Sequence, residues 1–294
     1  MTQPGIAPPG YRLPDAMHLG QVSLQVSDMA RSLAYYQDVL GLRLLDHAGT
    51  VATLGAQRGS RPLVELIEVA GTQPVGPHDR LGLYHFAILL PTRAVLGSFV
   101  QHLATIGAEA GASDHLVSEA LYLRDPDGLG IEVYADRPRD AWRIEGHQLK
   151  MATDPLDVAD LVRAANGAPW QGMPDGTVIG HVHLHVGDID DAAAFYHAAL
   201  GLDKVVWEYP GALFMSAGGY HHHLGVNTWA GRGALPAGAT DARLLAWEMV
   251  LPSRVDVEAV AASLESHGYQ VTHEGDDRSA RDPWGTRLRL RRDC

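Results

Sequence analysis

The chain repeats itself at a fixed interval, and no other feature limits its architecture as much. Residues 21–42, QVSLQVSDMARSLAYYQDVLGL, align without a gap on residues 181–202, HVHLHVGDIDDAAAFYHAALGL, at an offset of 160. Val22, Leu24, Val26, Asp28, Tyr36, Leu40, Gly41 and Leu42 each meet an identical residue. A weaker pair, HFAILLPTR at 85–93 and AWEMVLPSR at 246–254, is offset by 161. RDPDG at 124–128 then meets RDPWG at 281–285 at 157, as a four-residue deletion requires. Periods of this kind mark supersecondary units that bury their faces against one another.

Each unit has the same outline. A strand with alternating apolar side chains opens it (Val22, Leu24, Val26). Asp28 or Asp188 follows as a helix N-cap, and Gly41 or Gly201 ends the helix. Strands come next, among them 63–69, 120–124 and 130–135. The order β-α-β-β-β recurs four times, near 18–70, 83–136, 179–230 and 244–291, which makes the chain an α+β protein. Modules one and two occupy 1–136, and modules three and four occupy 179–294. Residues 137–178 connect them, with a short helix expected at 155–165. A four-stranded unit leaves an unpaired edge, so the modules are expected to pair into two barrel-like domains.

Composition excludes several classes of function. The formal net charge of -12 speaks against a basic nucleic-acid footprint and, weakly, against an anionic membrane surface. The one cysteine is Cys294, so neither an intramolecular disulfide nor a thiolate cluster can form. Residues 1–17 show no secretory pattern and no apolar run reaches membrane-spanning length. A cytoplasmic protein with no nucleic-acid or membrane partner is the expectation. Of the 16 histidines, six fall in two clusters, His181, His183, His185 and His221, His222, His223. Such clusters on strands suit metal chemistry, with surface decoration or satisfied core imidazoles as the alternative.

The run from His115 to Glu132 joins a His, a Tyr at 122, an Asp-Pro-x-Gly turn and a Glu. Together with the fourfold module it resembles the vicinal oxygen chelate superfamily. More narrowly, it is similar to two-domain extradiol ring-cleaving dioxygenases of the bacterial catechol 2,3-dioxygenase subgroup. The resemblance runs from His18 to Leu290, with Ser113 departing from the usual residue types.

The resemblance implies metal ligands at the start of each first strand, where this chain has Gln21, His85, His181 and Ala246, and on the last strand, where it has Glu132 and Arg289. His85, Glu132 and His181 are thus the candidate ligands. Two imidazoles and one carboxylate suit Fe(II), and Mn(II) accepts the same set. Many relatives take all three ligands from the last two modules, which Ala246 and Arg289 prevent here, arginine having no lone pair to give. Modules two and three are therefore expected to build the metal-bearing barrel, and modules one and four the other.

Taken singly, His85 reads equally as a core histidine, Tyr122 as a sheet aromatic and His115 as a solvated loop residue. Glu132 differs: facing a barrel interior it needs a partner, because an unpaired buried carboxylate costs several kcal/mol. The resemblance implies that Tyr122 and His115 hydrogen-bond the substrate. It also implies that His222, or His223 if the match slips by one, acts as base and then acid. His183 and His185 read as pocket lining or polar core. The implied reaction is O2-dependent cleavage of catechols beside the diol, to 2-hydroxymuconic semialdehyde-type products, by a self-associating enzyme. A glyoxalase-type lyase or isomerase and a non-enzymatic binding protein of the same fold are the competing readings.

Overall fold

The computed structural model describes residues 5–293. Module one contributes β1 (His18–Val26), β2 (Arg43–Ala48), β3 (Val51–Gly55) and β4 (Pro62–Glu68), with α1 (Met29–Ala34) after its first strand. Module two contributes β5 (Arg80–Leu89), α2 (Arg93–Ile106), β6 (Gly111–Asp114), β7 (Ser118–Arg124) and β8 (Gly130–Asp136). The connection carries a small hairpin, β9 (Ile144–Glu145) and β10 (Gln148–Leu149), and then α3 (Val158–Ala164). Module three follows as β11 (Val178–His185), α4 (Ile189–Ala192), β12 (Asp203–Val206), β13 (Ala212–Ser216) and β14 (Leu224–Asn227). A short β15 (Leu235–Pro236) precedes module four: β16 (Arg243–Leu251), α5 (Arg254–Ser266), β17 (Val271–Glu274), β18 (Asp277–Arg281) and β19 (Arg287–Arg292).

The helices begin where capping chemistry dictates. Asp28 accepts the backbone N–H of Arg31, and Asp188 those of Asp190 and Asp191. Thr92 and Ser253 cap α2 and α5 in the same way. α1 and α4 each continue into a π-helical turn, Tyr35–Val39 and Ala193–Ala199. The chain then reverses at Gly41 (φ 76°) and Gly201 (φ 98°). Both positions also pack tightly: a Cβ on Gly201 would stand 2.8 Å from the Tyr11 carbonyl oxygen.

Modules one and four share one eight-stranded sheet, ordered β17-β18-β19-β16-β1-β4-β3-β2. Modules two and three share the other, ordered β12-β13-β14-β11-β5-β8-β7-β6, with β15 added beside β5. The antiparallel pairs β1–β16 and β5–β11 join the modules. In neither sheet do the two outermost strands pair with each other, so the modules form open sheets rather than closed barrels. β1 and β11 lie side by side where the sheets meet.

Alternation along the strands separates two faces. Phe86, Ile88, Ile131, Val133, Val182 and Leu184 are buried in the main apolar core with the helices. Their neighbours His85, Ala87, Glu132, Tyr134, His181 and His183 point the other way and are also buried. That second face is largely polar, and burying such groups demands partners.

Candidate metal centre

The three candidate ligands come from three adjacent strands. Ala87 of β5 is in register with Glu132 of β8 on one side and His181 of β11 on the other. A methyl group thus lies between carboxylate and imidazole, leaving the space above it open. His85, two residues before Ala87 on β5, closes the triangle. Its Nε2 is 3.0 Å from Glu132 Oε2. His181 Nε2 is 3.2 Å from the same oxygen and 3.3 Å from His85 Nε2. All three residues are buried.

Three donors on one face of an octahedral ion, with bonds of about 2.1 Å at right angles, are about 3.0 Å apart. The observed edges match that figure, so the residues fit a divalent ion. The protonation states agree. Burial, outweighing the pull of Glu132, lowers both imidazole pKa values. Burial pushes the Glu132 carboxyl up, but His181 and then His85 outweigh it and hold it well below the usual range. Neutral imidazoles and an ionised carboxylate are the ligand forms. The Nδ1 atom of His181 has no hydrogen-bond partner among the described residues, unlike the usual metal-bound histidine.

Tyr122 and Glu132 pair across the β7–β8 hairpin, whose turn is the Asp-Pro-Asp-Gly segment. Tyr122 is 2.5 Å from His115 Nε2 through its hydroxyl. His115 Nδ1 donates to the Ala152 carbonyl at 2.6 Å, so Nε2 is left to accept the phenol proton. Burial, with Glu132 nearby, raises the Tyr122 pKa well above 10 and keeps it a phenol.

His222 lies over His181, ring centres 4.1 Å apart, and faces the cavity. Its Nδ1 is 2.7 Å from Nδ1 of His221, whose Nε2 donates to Asp136 at 2.9 Å. With its own proton committed to Asp136, His221 accepts from His222. His222 is therefore the Nδ1–H tautomer, with an unprotonated Nε2. His223 turns away: its Nδ1 accepts the Ala217 N–H, and it borders a different cavity near Met17 and Leu19.

A cavity of about 220 Å³ joins these groups, bordered by His85, Glu132, His115, Tyr122, His222 and His183. His183 accepts from the Asn227 amide (2.9 Å), and His185 bonds Asn227 (2.6 Å) and the Pro77 carbonyl (3.0 Å). Trp229 lines the cavity, whereas Tyr134 lies fully buried beneath, its hydroxyl on Tyr220.

Several cavity residues escape a sequence reading. Tyr84 adjoins His85, and strict alternation would turn it away from the cavity. The register instead runs from His85↔His183 to Leu83↔Leu184, so Tyr84 is a bulge residue and both side chains line the cavity. Met151, Ala152 and Thr153 come from the connection between the halves, and Tyr209 and Phe214 from around β13. The Asp136–His221 contact was signalled only by the His-rich run.

Paired βαβββ modules around a two-histidine, one-carboxylate centre define a class of metal-dependent proteins. The chain belongs to the Glyoxalase/Bleomycin resistance protein/Dioxygenase superfamily, whose profile matches residues 18–133 and 178–290. It is 42% identical over 270 residues to the catechol-2,3-dioxygenase of Bacillus subtilis (strain 168), covering 90% of this chain and 94% of that protein. Among solved structures, a putative dioxygenase from Bacillus subtilis superposes with a TM-score of 0.66 at 16% identity, covering 96% of this chain and 86% of the other. Glyoxalase I from Zea mays gives 0.56 at 19% identity, covering 94% and 92%. These two likenesses concern the fold.

Proposed function

We propose that this chain is a non-haem Fe(II)-dependent extradiol dioxygenase that opens catechol or substituted catechols beside the diol. Both atoms of O2 enter the product, a 2-hydroxymuconic semialdehyde or its substituted analogue. The reading rests on one observation: the Glu132 carboxylate lies within 3.2 Å of both His85 and His181 at the floor of an aromatic-lined cavity. The 42% identity to a catechol-2,3-dioxygenase supports the same reaction.

His85, Glu132 and His181 would hold the iron, and Mn(II) suits the same donors. When bound, such an ion acidifies the diol, brings it together with O2 and passes electrons between them. The open sheet of modules two and three acts as a half-barrel around this site. His222, with Nε2 unprotonated and turned to the cavity, accepts a proton from the substrate hydroxyl and returns it later. Tyr122, kept a phenol by burial and backed by His115, fixes the position of oxygen atoms beside Glu132. The neighbouring rings exclude water from the reacting atoms.

No helix among the described residues is long and apolar enough to cross a membrane. The test is anaerobic purification with metal analysis, followed by O2 uptake and yellow-product formation on catechol. One iron per chain and stoichiometric O2 consumption are expected. Iron-loaded protein that consumes no O2 with any catechol refutes the reading.

A further inference from the structure

We propose that the sheet of modules one and four carries a second binding site, built for the carboxylate of a small organic acid. It stands apart from the metal centre and from the reaction assigned there. The repeat maps the metal-bearing face onto this second sheet. Val22 pairs with Val64 as Val182 does with Leu224, and Trp247 pairs with Leu288 as Phe86 does with Ile131. Gln21 therefore takes the place of His181, Pro62 that of His222, Arg61 that of His221 and Arg291 that of Tyr134. In the metal-bearing sheet the rings of His222 and Tyr134 pack on His181, with centres 4.1 and 4.9 Å away. Pro62 is too short to do the same for Gln21, and Arg291 turns to Glu248 (3.2 Å) and Asp277 (3.1 Å). A cavity of about 410 Å³ lies between them, bordered by Gln21, Arg61, Pro62, Glu248, Arg291 and Arg292.

Gln21 marks this cavity as a site rather than a gap. It shares a face of β1 with Ser23 and Gln25. Ser23 donates to Glu65 (2.6 Å), and the Gln25 amide donates to Thr72 and to the Ala239 and Asp241 carbonyls. The Gln21 side-chain amide has no hydrogen-bond partner among the described residues, although the residue is only 8% exposed and borders the cavity. Buried amides are ordinarily bonded, so this one favours a guest that bonds it. Charge selects the guest. Arg61, Arg291 and Arg292 border the cavity with Glu248 and Asp293, an excess of positive charge in a chain of net charge -12. Glu248 is buried and already bonded by Arg291 and by the Gln21 backbone N–H (3.4 Å). Arg61 has longer contacts, 3.6 Å to Asp293 and 3.4 Å to His18. Its guanidinium can turn onto one carboxylate while the Gln21 amide N–H bonds the same group.

The experiment is calorimetric titration of the full-length, metal-loaded protein under argon with succinate, and with the neutral succinamide as control. Succinate should bind once per chain with a Kd below ~1 mM, and succinamide at least ~10-fold more weakly. Saturating catechol should leave the succinate Kd unchanged, because a diol on the metal does not reach this sheet. Arg61→Gln and Gln21→Leu should each raise that Kd by at least ~10-fold, as loss of a hydrogen bond to a charged group does. Arg281→Gln removes the same charge at another cavity of the sheet and should leave it unchanged. Absence of binding at 10-fold that concentration (~10 mM) overturns the proposal, as does displacement by catechol. Wild-type affinity in either Arg61→Gln or Gln21→Leu, or an equal loss in Arg281→Gln, overturns it as well. Arg61 is exposed, so its variant decides the matter even if Gln21→Leu does not fold.

Discussion

Nε2 of His85 and Nε2 of His181 stand 3.3 Å apart although the residues lie 96 positions apart in the chain, and Oε2 of Glu132 completes the triangle. Neither imidazole accounts for the other: two neutral rings share at most one proton between facing nitrogens, and the carboxylate competes for it. A divalent ion satisfies all three at once.

His85→Ala, Glu132→Ala and His181→Ala should each lower bound iron from near one per chain to below about a tenth, with the circular dichroism spectrum retained. Chelation of wild-type protein should lower its melting temperature, since the ion binds only the folded site. If any of the three variants keeps full iron and full ring cleavage, the centre lies elsewhere.

His222→Gln should retain iron and lose about 10²–10³-fold in kcat, the usual contribution of a positioned base. His223→Gln should stay within about threefold of wild type, because His223 borders a different cavity. Asp136→Asn should fall between them, since Asp136 acts on His222 only through His221. Equal losses in His222→Gln and His223→Gln would contradict this assignment.

Tyr122→Phe keeps the ring and removes the hydroxyl that His115 accepts at 2.5 Å. A kcat loss of about 10–100-fold at unchanged iron content is expected. Rates equal to wild type across the pH range would make Tyr122 a packing residue only.

Asp125, in the β7–β8 turn, tests the electrostatics away from the metal. Burial raises its pKa from 3.8 to about 7, even though Leu129 and Asp127 backbone N–H groups and the Tyr36 hydroxyl bond it. The folded chain therefore holds this proton more tightly than the unfolded chain. Below pH 3.8 both states are protonated and no penalty applies; the penalty grows as pH rises and is complete above about 7. Asp125→Asn keeps the shape without the charge. Its melting temperature should gain on wild type between pH 5 and 8, by an amount corresponding to at most about 4 kcal/mol. Melting curves that stay parallel over that interval would show that Asp125 is not ionising there.

Much of this protein is legible in its sequence. The offset of 160 between residues 21–42 and 181–202 displays the module, because strand and helix periods and their caps are local properties. Asp28, Asp188, Gly41 and Gly201 act where they stand in the chain. His85, Glu132 and His181 could be named because module equivalence carries positions from one copy to the next.

The tertiary structure decided what no local rule reaches. The pairing of β5 with β11 puts modules two and three in one sheet, and that long-range choice sets the 3.3 Å between two histidines. A bulge turns Tyr84 into the cavity against its alternation, because register belongs to two strands rather than one. The sheets remain open because closure depends on how outermost strands meet in space. Met151 to Thr153 wall the cavity because the connection folds back over it, and the His222 tautomer is set by Asp136, whose carboxylate lies 85 positions from His221 in the chain. Spacing along a chain specifies periodic elements, whereas proton positions and cavity walls depend on groups that only folding brings within hydrogen-bond reach.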